Sequence, residues 1–264
     1  MTYEAYAAPA SEAPAQPVIE RIGADAVAVK LGTEHFTEAN DVVREALRTA
    51  DTVEIREAFA QRYLGCGMPA GKVLKIHGVP GNDMACYMDG GEIEVFGNAQ
   101  DQIGNTMNDG CIVVHGRCGD AAGYGMRGGQ IFVRDGCGWR VGIHMKQFED
   151  RCPAIVVGGD AGSFLGEYMA GGVIVLLGKP GAYLATGMHG GVMYMKHELA
   201  DAAIPAGLVQ EPVDERDRAV LRTLLGRYND HFAGELGRAV DVTGEGFYRL
   251  KPASSRPYAS MYAN

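Results

Sequence analysis

Residues 88–126 read MDGGEIEVFGNAQDQIGNTMNDGCIVVHGRCGDAAGYGM, and one cadence sounds twice within them. Met88, Met107 and Met126 stand 19 residues apart, and each interval holds an alternating apolar pair, Ile93/Val95 and then Ile112/Val114. The beat continues outward to Met145, Met169 and Met188, with one step of 24 residues and the rest of 19. Gly78, Gly97, Gly116, Gly159 and Gly178 keep a second register, with Asp135 as its exception. Gly81, Gly119, Gly138, Gly162 and Gly181 keep a third, broken by Gln100. Apolar pairs open seven units: Leu74/Ile76, Ile93/Val95, Ile112/Val114, Ile131/Val133, Ile155/Val157, Ile174/Leu176 and Met193/Met195.

A period of 19 has a physical meaning. Each unit starts with a strand of about five residues whose alternate side chains face one way. Several units end in a Gly pair, Gly128-Gly129, Gly171-Gly172 or Gly190-Gly191, that supplies corners of positive φ. So short a unit cannot bury its own apolar face, and successive units must stack. The expected fold is therefore an all-β repeat: a single-stranded, right-handed parallel β-helix of about seven coils with flanking helices. At about 4.8 Å per coil the cylinder is roughly 30 Å long. The methionines read as an interior ladder, because an unbranched thioether fits a narrow core, and not as metal or redox ligands.

Composition bounds the rest. A 264-residue chain that is 47% hydrophobic with 38 glycines can bury a sizeable core. Its net charge of −9 argues against nucleic acid or an anionic membrane surface as the main partner. No apolar run approaches the roughly 20 residues that span a bilayer. Met1 to Pro17, rich in Ala and Pro, lacks the pattern of a secretory signal and reads as a flexible arm. Six cysteines without such a signal suggest reduced thiols in the cytoplasm, and no CxxC occurs. Cys118 and Cys137, one period apart, are expected as free, packed thiols.

The chain divides into an N-terminal arm with a short strand (1–36), a helical cap (37–71), the β-helix (72–197) and a C-terminal helix with a docking tail (198–264). In the cap, Asn40 is read as the N-cap of a first helix, and Asp51 with Glu54 as the capping box of a second from Val53 to Tyr63. Asp214 to Phe232 shows helical spacing and is expected to close the open end of the cylinder. Phe247 to Leu250 and Arg256-Pro257-Tyr258 read as a tail that docks on something.

A search for chemistry finds little. Asn82, Asp101 and Asp120 share a register, which reads as turn-stabilising stacking and not as a cation site. His77 and His115 are in register but two coils apart, about 10 Å by strand spacing, too far to share a metal. The insertion Lys146 to Pro153 accounts for the long step and is expected to project as a surface loop. His144, Lys146, Phe148, Glu149 and Asp150 around it, together with Arg249, Arg256 and Tyr258 of the tail, are the candidate partner contacts. Neither a catalytic residue nor a ligand set for a metal or cofactor is expected on this chain.

Four stretches carry a family resemblance: DTVEIREAFAQRYLGCGMPAGKVLKIHG, GNAQDQIGNTMNDGCIVVHG, GEYMAGGVIVLLG and GAYLATGMHGGVMYM. Over about residues 51 to 235 the chain resembles the C-terminal β-helix, or GXGXG, domain of the glutamate synthase large subunit. The recurring pattern here is G-x-x-G-x-x-x-G, complete at Gly116/Gly119/Gly123 and Gly159/Gly162/Gly166. The resemblance implies a non-catalytic subunit, structural and part of the ammonia route, of a split glutamate synthase-like complex. Its partners would be a glutamine amidotransferase subunit and an FMN-dependent synthase subunit, with FMN and an iron–sulfur cluster on the latter. Related readings are a subunit of N-methylglutamate synthase, or of a formylmethanofuran dehydrogenase or formyltransferase/hydrolase complex. An autonomous β-helix enzyme is a third class.

Overall fold

The computed structural model describes residues 17–32 and 35–254. Its centre is a parallel β-solenoid of about eight turns. After the hairpin β1 (Val18–Arg21) and β2 (Ala26–Lys30) comes helix α1 (Phe36–Thr49). The coils then contribute one strand each: β3 (Thr52–Phe59), β4 (Val73–Val79), β5 (Asp89–Phe96), β6 (Asp109–Val114), β7 (Gln130–Val133), β8 (Ala154–Val157), β9 (Ala170–Leu176) and β10 (Gly190–Met195). Strand β11 (Leu208–Pro212), helix α2 (Glu215–Leu236) and strand β12 (Tyr248–Pro252) complete the chain. All strands join one sheet in chain order, save that β12 lies between β10 and β11.

The sequence ladders are the interior. Leu74 aligns with Ile93, Ile93 with Ile112, Ile112 with Ile131, Ile131 with Ile155, and Ile155 with Ile174. Met88, Met107, Met126, Met145 and Met169 have no exposed surface. The Gly pairs divide their task. Gly129 has φ 77°, and a Cβ on it would sit 2.6 Å from the terminal methyl of Met107, so the corner needs glycine for both backbone and space.

Three expectations about these elements need correction. The segment expected as a second helix is strand β3, whose Val53 and Ile55 align with Leu74 and Ile76, so the solenoid starts one coil earlier. Asn40 is no N-cap: it lies inside α1, buried, and its amide donates to the carbonyls of Phe36 and Arg62 at 2.7 Å each. His35 caps that helix, accepting from the Thr37 N–H. The helix after the repeat does not close the cylinder's end. It lies along the flank, where Leu221, Leu224, Leu225, Tyr228 and Phe232 cover the outward residues Val113, Phe132, Val156 and Val175.

The ends are closed by other means. Residues Ala39, Val43, Ala46 and Leu47 of α1 join the same core as Val53 and Leu64. At the far end β12 runs antiparallel to β10 and pairs on its other side with β11. The stretch Phe247 to Leu250 is thus no free tail: Phe247 and Leu250 are buried. The arm before Pro17, and Arg256 and Tyr258, lie outside the described residues.

Candidate functional site

Each coil turns a tight corner just before its ladder methionine, and this corner carries the most distinctive surface of the molecule. The backbone there is left-handed at the residue preceding the methionine: Gly67, Tyr87, Thr106, Gly125, His144, Tyr168 and Gly187 all have positive φ. Glycine takes that conformation freely, whereas a bulky residue costs about 1 kcal/mol or more. Five residues before the methionine the same holds for Arg140, Phe164 and Tyr183, at 57°, 63° and 58°. Both left-handed positions recur in every coil, and in the later coils they carry the rings of His144, Phe164, Tyr168 and Tyr183.

These rings form two ladders. His144 stacks on Tyr168 at 5.3 Å between centroids and 10° between planes, and meets the edge of Tyr124 at 5.8 Å. Phe164 stacks on Tyr183 at 4.8 Å, and the Arg140 guanidinium sits 4.6 Å above Phe164. Arg140 also donates to Glu167 at 3.0 Å. The outcome is an amphipathic strip rich in π faces and open to solvent: Trp139, Tyr168 and Tyr183 are 53, 44 and 68% exposed. Such surfaces suit protein contact, since rigid aromatic side chains bring large area at small entropic cost.

The insertion adjoins this strip as an exposed surface loop. Phe148 and Arg151 exchange backbone hydrogen bonds of 3.1 and 3.0 Å, which closes a minimal hairpin. Arg151 then reaches back over earlier coils to Asp89 at 2.8 Å and the Asn108 carbonyl at 3.3 Å. Lys146, Phe148, Glu149 and Asp150 remain exposed. Arg249, expected on a docking tail, is engaged within the chain. It donates to Glu211 at 2.6 and 2.9 Å, to Asp214 at 2.7 Å and to Asp217 at 2.8 Å, while the Tyr194 hydroxyl donates to Asp217 at 2.8 Å.

The Asn/Asp register is occupied by backbone. Asn82 accepts from the Asp101 N–H, Asp101 from the Asp120 N–H and Asp120 from the Trp139 N–H, at 3.3, 2.8 and 2.7 Å. Among the described residues no group of three or more His, Cys, Asp or Glu side chains is arranged to hold a metal ion. Cys118 and Cys137 are buried, in-register neighbours and unbonded.

One cluster escapes the sequence reading. His77 and His115 are bridged by Phe96, with ring stacks of 4.7 and 5.0 Å. His115 bonds Glu94 at 3.0 Å through Nε2 and Glu235 of α2 through Nδ1. Arg134 donates to Glu235 at 2.7 Å and to Asp135 at 2.9 Å, which holds the Asp135 carboxyl below its usual range. These groups face one another, so the arrangement fastens α2 to the coils, and Arg134 and Asp135 also border a cavity of about 470 Å³. The 19-residue register shows His77 and His115, but Glu235 arrives from 120 residues away.

Comparisons with known proteins fit this architecture. A model of the family described as "GXGXG motif" matches residues 24–241. The chain is also 37% identical over 254 residues to an uncharacterized protein of Methanocaldococcus jannaschii, MJ1350, with 91% of this chain and 97% of that protein covered.

Proposed function

This chain belongs to the GXGXG motif family, and from that membership we propose that it is a scaffold subunit of a glutamate synthase-like complex, working beside partners that carry the chemistry. The family suggests the glutamate synthase-like relationship; the partners and the role are the proposal. A glutamine amidotransferase subunit would release ammonia, and an FMN-dependent synthase subunit with an iron–sulfur cluster would consume it in the cytoplasm. The solenoid would hold the two at a fixed separation and flank the route between them.

One observation carries the reading: large rings occupy left-handed corners of consecutive later coils, at His144, Phe164, Tyr168 and Tyr183. Strain of this kind is kept where a surface has work to do. On the flank His115, Arg134 and Glu235 are engaged in holding α2, which agrees with a structural role for that face. Copurification of the tagged chain from its native host tests the proposal. Flavin-bearing and amidotransferase subunits should co-elute, and Tyr183→Glu with Tyr168→Glu should lower their recovery by roughly tenfold, about 1.4 kcal/mol. A chain that elutes alone, free of flavin, overturns it.

A further inference from the structure

The first coils hold a second feature, unrelated to the aromatic strip and independent of any complex. Cys66 and Cys86 occupy equivalent corners of adjacent coils, two residues before Met68 and Met88. The Gly67 N–H donates to the Cys86 carbonyl at 2.9 Å, which locks the corners together. Adjacent coils lie about 4.8 Å apart, within the Cα separation of roughly 4.4–6.8 Å that a disulfide spans. Both thiols are free.

Their surroundings are unequal. Cys86 is buried, whereas Cys66 opens into a cavity of about 480 Å³ between α1 and the coil corner. Arg44, Arg48 and Lys72 line that cavity with Leu47 and Gly67, and no carboxylate is among its described lining residues. A Cβ on Gly67 would meet nothing within 4 Å, so the entrance beside Cys66 is clear. The three cations pair with Asp41, Glu45 and Asp51, whose side chains are 59 to 69% exposed. Such surface pairs are weak and yield readily to an entering anion. The Cys86 S–H donates to the Cys66 sulfur and, against the effect of burial, brings Cys66 down to about 6, with Arg44 assisting and Asp83 opposing. Cys86 is pushed up by the same bond. A low-lying thiolate beside a resolving thiol and a basic pocket is the environment of a reactive cysteine.

We propose that this cavity binds small anionic disulfides and that Cys66 and Cys86 react with them as a dithiol. The Cys66 thiolate attacks one sulfur of the bound disulfide, forming a mixed disulfide and expelling the other half as a thiolate, which takes a proton from solvent. The Cys86 thiol then gives up its proton, and its sulfur attacks the Cys66 sulfur, expelling the second half. Two small thiols and one Cys66–Cys86 bond result; two electrons pass from protein to ligand. Cys118 and Cys137 form the internal control, since they stack in the same way yet are both buried.

The test uses the full reduced chain, glutathione disulfide as the anionic probe and cystamine as the cationic one, with peptide mapping at early times. Glutathione disulfide should produce the Cys66–Cys86 bond before it modifies the exposed Cys152, and Cys86→Ser should halt the reaction at a mixed disulfide on Cys66. Arg44→Gln with Arg48→Gln, both exposed side chains at the rim of the cavity, should slow glutathione disulfide about tenfold and leave cystamine no slower. First modification at Cys152, even labelling across all cysteines, or equal slowing of both probes overturns the proposal. Circular dichroism of each variant confirms that the solenoid is intact.

Discussion

The outward face of the strand stack changes character half-way along. On β3, β4 and β5 the central outward residues are Glu54, Lys75 and Glu94, whereas on β6, β7, β8 and β9 they are Val113, Phe132, Val156 and Val175. The inward residues scarcely differ between the two halves. The inner ladder thus specifies the coil, and the outer ladder decides what lies on it. Where the outer residues are charged the sheet meets water, and where they are apolar α2 lies on them, with Tyr228 and Phe232 fully buried. A half-polar strand and a continuously apolar one are the two accepted signatures of one-sided and two-sided burial.

This contrast can be broken from the helix side first. Phe232→Ala removes a ring that packs on Tyr228 at 4.8 Å and on His115 at 5.1 Å, and should cost about 3–5 kcal/mol in denaturant unfolding. Hydrogen exchange should rise on β6 to β9 and stay unchanged on β3 and β4, because a solenoid passes strain mainly to neighbouring coils. A smaller effect is expected from acid. Asp214, the N-cap of α2, is held down to about 2 by the Asp217 backbone N–H and then by Arg249. Its carboxyl stabilises the fold above the ordinary aspartate value of 3.8, and this contribution is lost as pH falls through about 2. In thermal melts between pH 5 and 2, Asp214→Asn should therefore flatten the pH dependence relative to the parent. The smallest effect should follow Lys75→Ala on the uncovered half, within about 0.5 kcal/mol in the same denaturant assay. A larger loss there would mean that the uncovered face is not the solvated surface it resembles.

How much was legible in the sequence follows from which residues repeat. The inner pairs and methionines recur at 19 residues, so the coils from Leu74 onward could be placed one by one. The first coil was missed because Val53/Ile55 precede Leu74/Ile76 by 21 residues, off the beat, and because Asp51 and Glu54 imitate a capping box. Strand β12 lies outside the repeat and pairs antiparallel, so no periodicity marks it. The path of α2 was in principle readable from Val113, Phe132, Val156 and Val175, an outer apolar ladder whose significance depends on knowing which residues face inward. Of the candidate contacts, His144 is marked in the sequence by its place beside the insertion, whereas its stacking on Tyr168 depends on the alignment of two coils. The engagement of Arg249 was not legible, since its partners Glu211, Asp214 and Asp217 come together only through pairing of β11 with β12. The Cys66 and Cys86 relation was hidden by a 20-residue step.

Strand β12 carries a last consequence. A parallel stack presents the same unsatisfied amides and carbonyls at its final rung as at every earlier one, so identical molecules would add end to end without limit, as in a fibre. A strand laid in the reverse direction over β10, with β11 beyond it, interrupts the run of parallel rungs and ends the stack in strands that do not repeat the coil. The repeat is thus brought to a close by strands of a different kind from those that build it.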